Sequence, residues 1–152
     1  MTTAPTDLLD TYLRATREFA ALAERSAEAA GLTLAQMRLL LTLHDAGTAS
    51  CSALAARLGV SVSSVTRLIG RAGMAPLVHR KTCATNASAI DLSLTAAGAD
   101  IVARVTARRA DVLREALSGL TPLQAEATAE GLAALAAALA DTTGARTTEA
   151  GA

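Results

Sequence analysis

The spacing of the apolar residues constrains this chain more than any other feature of its sequence. Leu8, Tyr12, Phe19 and Leu22 recur at helical intervals, which predicts a first helix over about residues 6–30. Hydrophobic residues make up 51% of the 152 residues, yet Tyr12 and Phe19 are the only aromatic ones. Leucine, alanine and valine must therefore form the core, and these side chains suit interlocking helices. We expect a mainly α fold.

A second helix is indicated by its start signal. The segment Thr33-Leu-Ala-Gln36 has the pattern of a capping box, in which the two polar side chains bond the first free backbone amides of a helix. We expect this helix to end near Gly47. The side that faces the core is predicted to carry Leu34, Met37, Leu40, Leu41 and Leu43.

Two short helices are predicted next, separated by a tight turn. Residues 51–58 have apolar positions at i, i+3, i+4 and i+7, and Gly59 closes that helix. Ser61 is placed to cap a second short helix with the same spacing, and this arrangement is typical of a helix-turn-helix. The face opposite its apolar stripe carries Ser63, Thr66, Arg67, Gly70 and Arg71.

The period of the pattern changes after Pro76. Residues 77–81 read as extended, and residues 90–94 alternate between apolar and polar, so we predict a β-hairpin. A long helix is expected from Thr95 to about Ser118. Thr121 then begins a second capping box, which predicts a last helix to about Asp141, followed by a disordered tail over residues 142–152.

The distribution of charge points to a partner, although the net charge is zero. Between Leu34 and Arg109 the chain carries nine basic and three acidic residues, a net +6, and the two flanks together carry −6. A basic middle between acidic ends indicates one module that faces an anion.

Several classes of protein lack support in the sequence. No apolar run reaches the roughly 18 residues of a membrane span, and the N-terminus has no secretion signal. We therefore expect a soluble, cytoplasmic protein, whose two cysteines fit a reducing compartment. Cys51 is predicted to be a buried structural thiol, whereas Cys83 could be exposed and reactive. No catalytic motif, cofactor motif or metal-ligand spacing is present, so enzymatic activity, a cofactor and a metal have no support.

The residues from about Leu32 to Gly98 resemble one known family, the MarR (multiple antibiotic resistance regulator) family of winged-helix repressors. The resemblance rests on the motifs Leu32-Thr-Leu-Ala-Gln36, Leu54-Ala-Ala-Arg-Leu-Gly-Val-Ser61, Val65-Thr-Arg-Leu-Ile69 and Leu92-Ser-Leu-Thr-Ala-Ala-Gly98. It implies a winged helix-turn-helix lobe over residues 34–94 with a small β-hairpin wing. It also implies a homodimer, held together by residues 1–33 and 95–141.

The resemblance implies two partners, double-stranded DNA and a small lipophilic or phenolic ligand. A regulator of this kind, in the family's usual mode a repressor, would bind a pseudo-palindromic operator and release it on binding the ligand. Our candidates for DNA contact are Ser61, Ser63, Ser64, Thr66, Arg67, Arg71, Arg80 and Lys81. Our candidates for ligand contact are Tyr12, Phe19, Met37 and His44, although His44 also fits an ordinary histidine at a helix end.

Two departures from the family pattern keep a second hypothesis open. The family's recognition helix commonly begins Ser-Arg-Ser, where this chain has Ser61-Val-Ser63, and its wing tip commonly reads Asp-Arg-Arg, where this chain has Asn86-Ala-Ser88. Both changes remove positive charge, and each lost phosphate contact lowers the salt slope of binding by about one unit. The second hypothesis is a chain that kept the dimer and its cleft, lost DNA reading, and binds or acts on a small molecule.

Overall fold

A computed structural model describes residues 5–71, 73–82 and 90–149 of the chain. Its described part is mainly helical, with one small antiparallel sheet, as the sequence predicts. In chain order the elements are α1 (Pro5–Glu28), α2 (Leu34–Ala46), β1 (Thr48–Ser50), α3 (Cys51–Leu58), α4 (Val62–Gly70), β2 (Val78–Thr82), β3 (Ile90–Leu94), α5 (Ala96–Ser118) and α6 (Pro122–Glu149).

The capping box predicted for α2 is present. The Gln36 backbone amide donates to Thr33 Oγ1 at 3.3 Å, and the Thr33 amide donates to Gln36 Oε1 at 2.9 Å. Two backbone donors that the helix itself leaves unpaired are thereby satisfied. At the other end Gly47 has a φ of 69° and closes the helix, as expected.

The sheet contains one strand that the sequence did not reveal. Its order is β1-β3-β2, so β3 is central and pairs antiparallel with both neighbours. Strands β2 and β3 are the predicted hairpin, whose connecting residues 83–89 lie outside the described part. Strand β1 is only three residues long, which is too short for a period of two to be recognised.

The core lies within the helix-turn-helix lobe and the helices that flank it. Its buried side chains come from α1, α2, α3, α4, both hairpin strands, the first half of α5 and the segments that precede α2 and β2. As predicted, they are almost all aliphatic, and they form one contiguous cluster. The cluster consists of Ala27, Leu32, Met37, Leu39, Leu40, Leu43, Leu54, Ala55, Val65, Ile69, Met74, Leu77, Val78, Leu92, Val102 and Val105.

Helix α5 begins in direct contact with the loop before β2. Thr95 Oγ1 donates to the Pro76 carbonyl at 2.7 Å and accepts from the Gly98 amide at 3.0 Å. Gly98 lies so close to Leu77 that a Cβ at this position would overlap the Leu77 carbonyl oxygen. A glycine is therefore required where α5 crosses the chain that leads into the hairpin.

The chain divides into two compact units within α5, Met1–Ala110 and Asp111–Ala152. The second unit contains the end of α5 and α6, which begins with the predicted capping box of Thr121 and Gln124. Helix α6 continues to Glu149, beyond the helix end that the sequence predicted near Asp141. Residues 142–149 include no proline, and their single glycine costs a helix only about 1 kcal/mol.

Among the described residues, no helix is both long enough and apolar enough to cross a membrane.

Candidate nucleic-acid interface

The helix-turn-helix is built by two serine caps and one glycine. Ser50 caps α3 by accepting from the Ala53 amide at 3.2 Å, and Ser61 caps α4 by accepting from the Ser64 amide at 3.2 Å. Between them Gly59 adopts a left-handed conformation with a φ of 67°, and its amide bonds the carbonyls that end α3. The turn therefore fixes the direction of α4 relative to α3.

Helix α4 has one buried and one exposed face. Val65 and Ile69 are buried in the core. The residues around α4 that the sequence assigned to the opposite face or to DNA contact are exposed, with the exception of Ser64, which is half-buried. The exposed members are Ser61, Ser63, Thr66, Arg67, Gly70 and Arg71.

Hydrogen bonds within α4 organise this exposed face. The Ser61 hydroxyl lies 2.9 Å from those of both Ser63 and Ser64, and Arg67 Nη2 donates to Ser64 Oγ at 3.4 Å. Thr66 Oγ1 donates to the Val62 carbonyl at 3.1 Å. A guanidinium has five N–H donors, so Arg67 retains several for another molecule.

The start of the wing lies beside α4. Arg80 and Lys81 are exposed on β2, which is an edge strand of the sheet. Arg80 and Thr66 line the same small cavity of about 70 Å³, together with Cys51, Ile69, Ile90 and Leu92. The structure therefore brings the predicted contact residues of α4 and of the wing onto neighbouring elements.

The charge around this surface has one sign. No acidic residue occurs between Asp45 and Asp91, whereas that stretch holds Arg57, Arg67, Arg71, Arg80 and Lys81. All five are exposed. Within the described residues the one ion pair closer than 4.0 Å joins Arg114 to Asp111, so these five cations remain available for an anionic partner.

The predicted ligand residues differ in their exposure to solvent. Met37 is fully buried in the core, whereas Tyr12, Phe19 and His44 are exposed on α1 and α2. Cys51 is half-buried rather than fully buried, and Cys83 lies outside the described residues. Among the residues that are described, no group of histidine, cysteine and carboxylate side chains could hold a metal ion.

A cavity that the sequence analysis missed lies between α1 and α5. Its volume is about 340 Å³, and its lining residues are Ser26, Ala29, Ala30, Arg104, Val105 and Arg108. Nearby, Arg109 Nη2 donates to the Ala23 carbonyl at 3.2 Å, while its buried Nε has no hydrogen-bond partner among the described residues. The available sequence signal was the spacing of Arg104 and Arg108, which places both on one face of α5.

Comparison with known families identifies this architecture. A sequence model of the MarR family matches residues 32–87, a range that contains α2, β1, α3, α4 and β2. The chain belongs to the MarR family of winged-helix transcriptional regulators. A search of curated proteins gave no match.

Solved structures of similar proteins extend over nearly the whole chain. The YusO protein from Bacillus subtilis is 30% identical, with 90% of this chain and 99% of that one covered and a TM-score of 0.72. RV1404 from Mycobacterium tuberculosis is 26% identical, with 91% and 96% covered and a TM-score of 0.82. A mutant of MarR from E. coli, complexed with operator DNA, shares the fold at 19% identity, with 84% and 92% covered and a TM-score of 0.64.

Proposed function

We propose that this MarR family regulator is a homodimeric repressor that binds a pseudo-palindromic operator through α4 and the wing. The observation that carries the proposal is the exposed cationic surface of α4 and β2, in a stretch of chain with no acidic residue. Duplex DNA binds such surfaces because phosphate contacts release condensed counterions. A neighbour of the same fold, the mutant MarR from E. coli, was crystallised with operator DNA.

Exposed apolar side chains on the terminal helices support the homodimer. Leu9 on α1 and Leu123 on α6 are 60% and 76% exposed. Of residues 122–141, only Ala125 and Leu135 are even half-buried. A second copy of the same surface would remove this apolar area from water, which favours a symmetric dimer. Two copies of α4 would then address half-sites about one helical turn apart.

DNA binding is tested by removing two arginines, Arg67 in α4 and Arg71 at its C-terminal cap. Fluorescence anisotropy on a duplex selected from a randomised pool should show that Arg67→Ala with Arg71→Ala weakens binding by about 100-fold or more, since the dimer loses four guanidinium groups. The matched control is Arg14→Ala with Arg17→Ala, which removes the same charge from exposed positions on α1, and sedimentation checks that both double variants keep the mass of the wild-type assembly. If the two double variants had the same affinity for the selected duplex, this would favour the alternative, a dimer that no longer recognises a DNA sequence.

The repressor assignment is tested by transcription in vitro. A template whose promoter overlaps the selected duplex should give less transcript as the protein is added, and the Arg67→Ala, Arg71→Ala variant should have little effect. Transcript levels that stay constant or rise with the wild type would contradict repression while leaving DNA binding intact.

We further propose that the cavity between α1 and α5 is the effector site, in place of the predicted set on α1 and α2. Its volume of about 340 Å³ suits a small organic molecule. Arg104 and Arg108 form no ion pair with a described residue, and Ala29, Ala30 and Val105 add apolar surface. This combination favours an amphipathic carboxylate.

Benzoate is a suitable probe of the effector site. It should raise the melting temperature of the wild type and weaken its binding to the selected duplex, and Arg108→Ala should abolish both effects. Arg114→Ala is the control, since it removes an exposed arginine of the same helix outside the cavity. Equal shifts for the wild type and both variants would place the binding elsewhere.

A further inference from the structure

Val62 is an apolar side chain at the start of α4. It is 47% exposed and lies between the exposed residues Ser61 and Ser63. In helix-turn-helix proteins the N-terminal residues of the second helix contact the base edges in the major groove. If α4 binds DNA as proposed, Val62 is one of the first side chains to meet the bases.

Neither folding nor packing explains a valine at this position. The contacts of α4 with the core are made by Val65 and Ile69, which are buried, and by Leu68, which is half-buried. Valine is also a weaker helix former than alanine. Exposed single valines are common on protein surfaces. What indicates a contact with a partner is the position of Val62 at the start of α4, the second helix of the helix-turn-helix.

The hydroxyl groups around Val62 are already hydrogen-bonded within α4. Those of Ser61, Ser63 and Ser64 form a cluster with separations of 2.9 Å, and Thr66 donates to the Val62 carbonyl. Donating one of these protons to a base would exchange one hydrogen bond for another, which gives a small net gain. The methyl groups of Val62 have no such competing interaction and gain from any apolar contact.

We propose that Val62 reads the 5-methyl group of a thymine in each operator half-site. Thymine is the one unmodified base that presents a methyl group in the major groove, and apolar side chains contact it there. Contact between the two would remove apolar surface of both from water. The inference rests on the proposed function, because it requires α4 to lie in the major groove.

The experiment replaces thymidine by deoxyuridine, which removes the methyl group and leaves base pairing unchanged. Symmetric pairs of thymines in the selected duplex are replaced one pair at a time, and anisotropy gives the affinity of the full-length protein. At one pair, wild-type affinity should fall about fourfold per half-site, the value of one buried methyl group. Val62→Ala should bind the thymine duplex more weakly than the wild type does, and it should bind the thymine and uracil duplexes equally at that pair.

Val60→Ala is the matched control. Val60 is 42% exposed but lies in the turn before α4, so this variant should distinguish thymine from uracil as the wild type does. Both substitutions are at exposed positions, so they should leave the helical content and the mass of the assembly in solution unchanged. Circular dichroism and sedimentation check these two properties.

Two negative results have different meanings. In the first, the wild type prefers the selected duplex over a scrambled one, but replacing thymine by uracil lowers the affinity of Val62→Ala and of the wild type by the same factor at every pair. The thymine contact is then wrong, and DNA binding stands. If the wild type binds both duplexes equally, the proposed function fails and the thymine contact fails with it.

Discussion

The two units of the chain use similar apolar residues in opposite ways. In the first unit, Leu40 and Leu54 are fully buried in one continuous core. In the second unit, Leu117 and Leu123 are exposed, and none of residues 111–141 is fully buried. The contrast teaches that the amount of leucine and alanine does not decide whether a helix is packed within its own chain. The second unit is rich in leucine and alanine, yet its side chains described over residues 111–141 remain largely exposed.

The largest expected effect comes from a cavity in the first unit. Leu40→Ala should lower the free energy of unfolding by about 2–5 kcal/mol, because it removes a fully buried side chain. Urea denaturation measures this change.

The exposed counterparts sharpen the contrast. The double variant Leu123→Ala, Leu132→Ala creates no cavity within the chain. Its mass in sedimentation equilibrium should instead fall from twice the chain mass of 15.3 kDa toward the mass of a single chain. A dimer mass unaffected by this pair would show that α6 is not reserved for a second copy.

The same chemical change should have opposite signs in the two units. Gly98→Ala would force a Cβ against the Leu77 carbonyl, and should destabilise the protein by about 1–3 kcal/mol. Gly131 in α6 has open space where its Cβ would be, so Gly131→Ala should stabilise α6 by up to about 1 kcal/mol. Thermal unfolding of both variants checks the signs. A destabilising Gly131→Ala would mean that a partner approaches α6 closely at this glycine.

Helix caps give a smaller test of the same contrast. Ser61→Ala removes the cap of α4, and should cost about 1 kcal/mol of unfolding free energy because that helix belongs to the packed lobe. Thr121→Ala removes an equivalent cap from α6, and should act mainly by weakening the dimer. Urea denaturation and sedimentation of the two variants distinguish these effects, and identical behaviour would remove the distinction between the units.

The smallest expected effect concerns the surface of the second unit. Arg114→Ala breaks the ion pair with Asp111, whose side chains are both 72% exposed. Such pairs contribute about 0–1 kcal/mol because water screens them and side-chain entropy opposes them. The melting temperature should therefore change little, and a large drop would indicate that Arg114 is buried against a second copy.

The sequence predicted the elements whose signals are local. The capping boxes at Thr33 and Thr121, the glycine that closes α3 and the strand β3 all follow from patterns among neighbouring residues, and the structure confirms them. Strand β1 was missed because its three residues are extended through pairing with β3, which is distant in the sequence.

The candidate site was predicted unevenly for the same reason. The exposed face of α4 follows from helical spacing alone, and the structure exposes those residues. The cavity lined by Ser26 and Arg104 depends on how α1 meets α5, which no local pattern encodes. Met37 and His44 share a stripe in a helical projection, but the first is buried and the second exposed, because burial depends on which neighbouring elements cover each part of the stripe.

The most direct test of DNA reading is the affinity of the wild-type protein for a selected and a scrambled duplex, measured at several salt concentrations. We expect a preference of about a thousandfold or more for the selected duplex, and an affinity that falls steeply as salt rises. Equal, weak affinities for the two duplexes at every salt concentration would contradict operator recognition by this lobe.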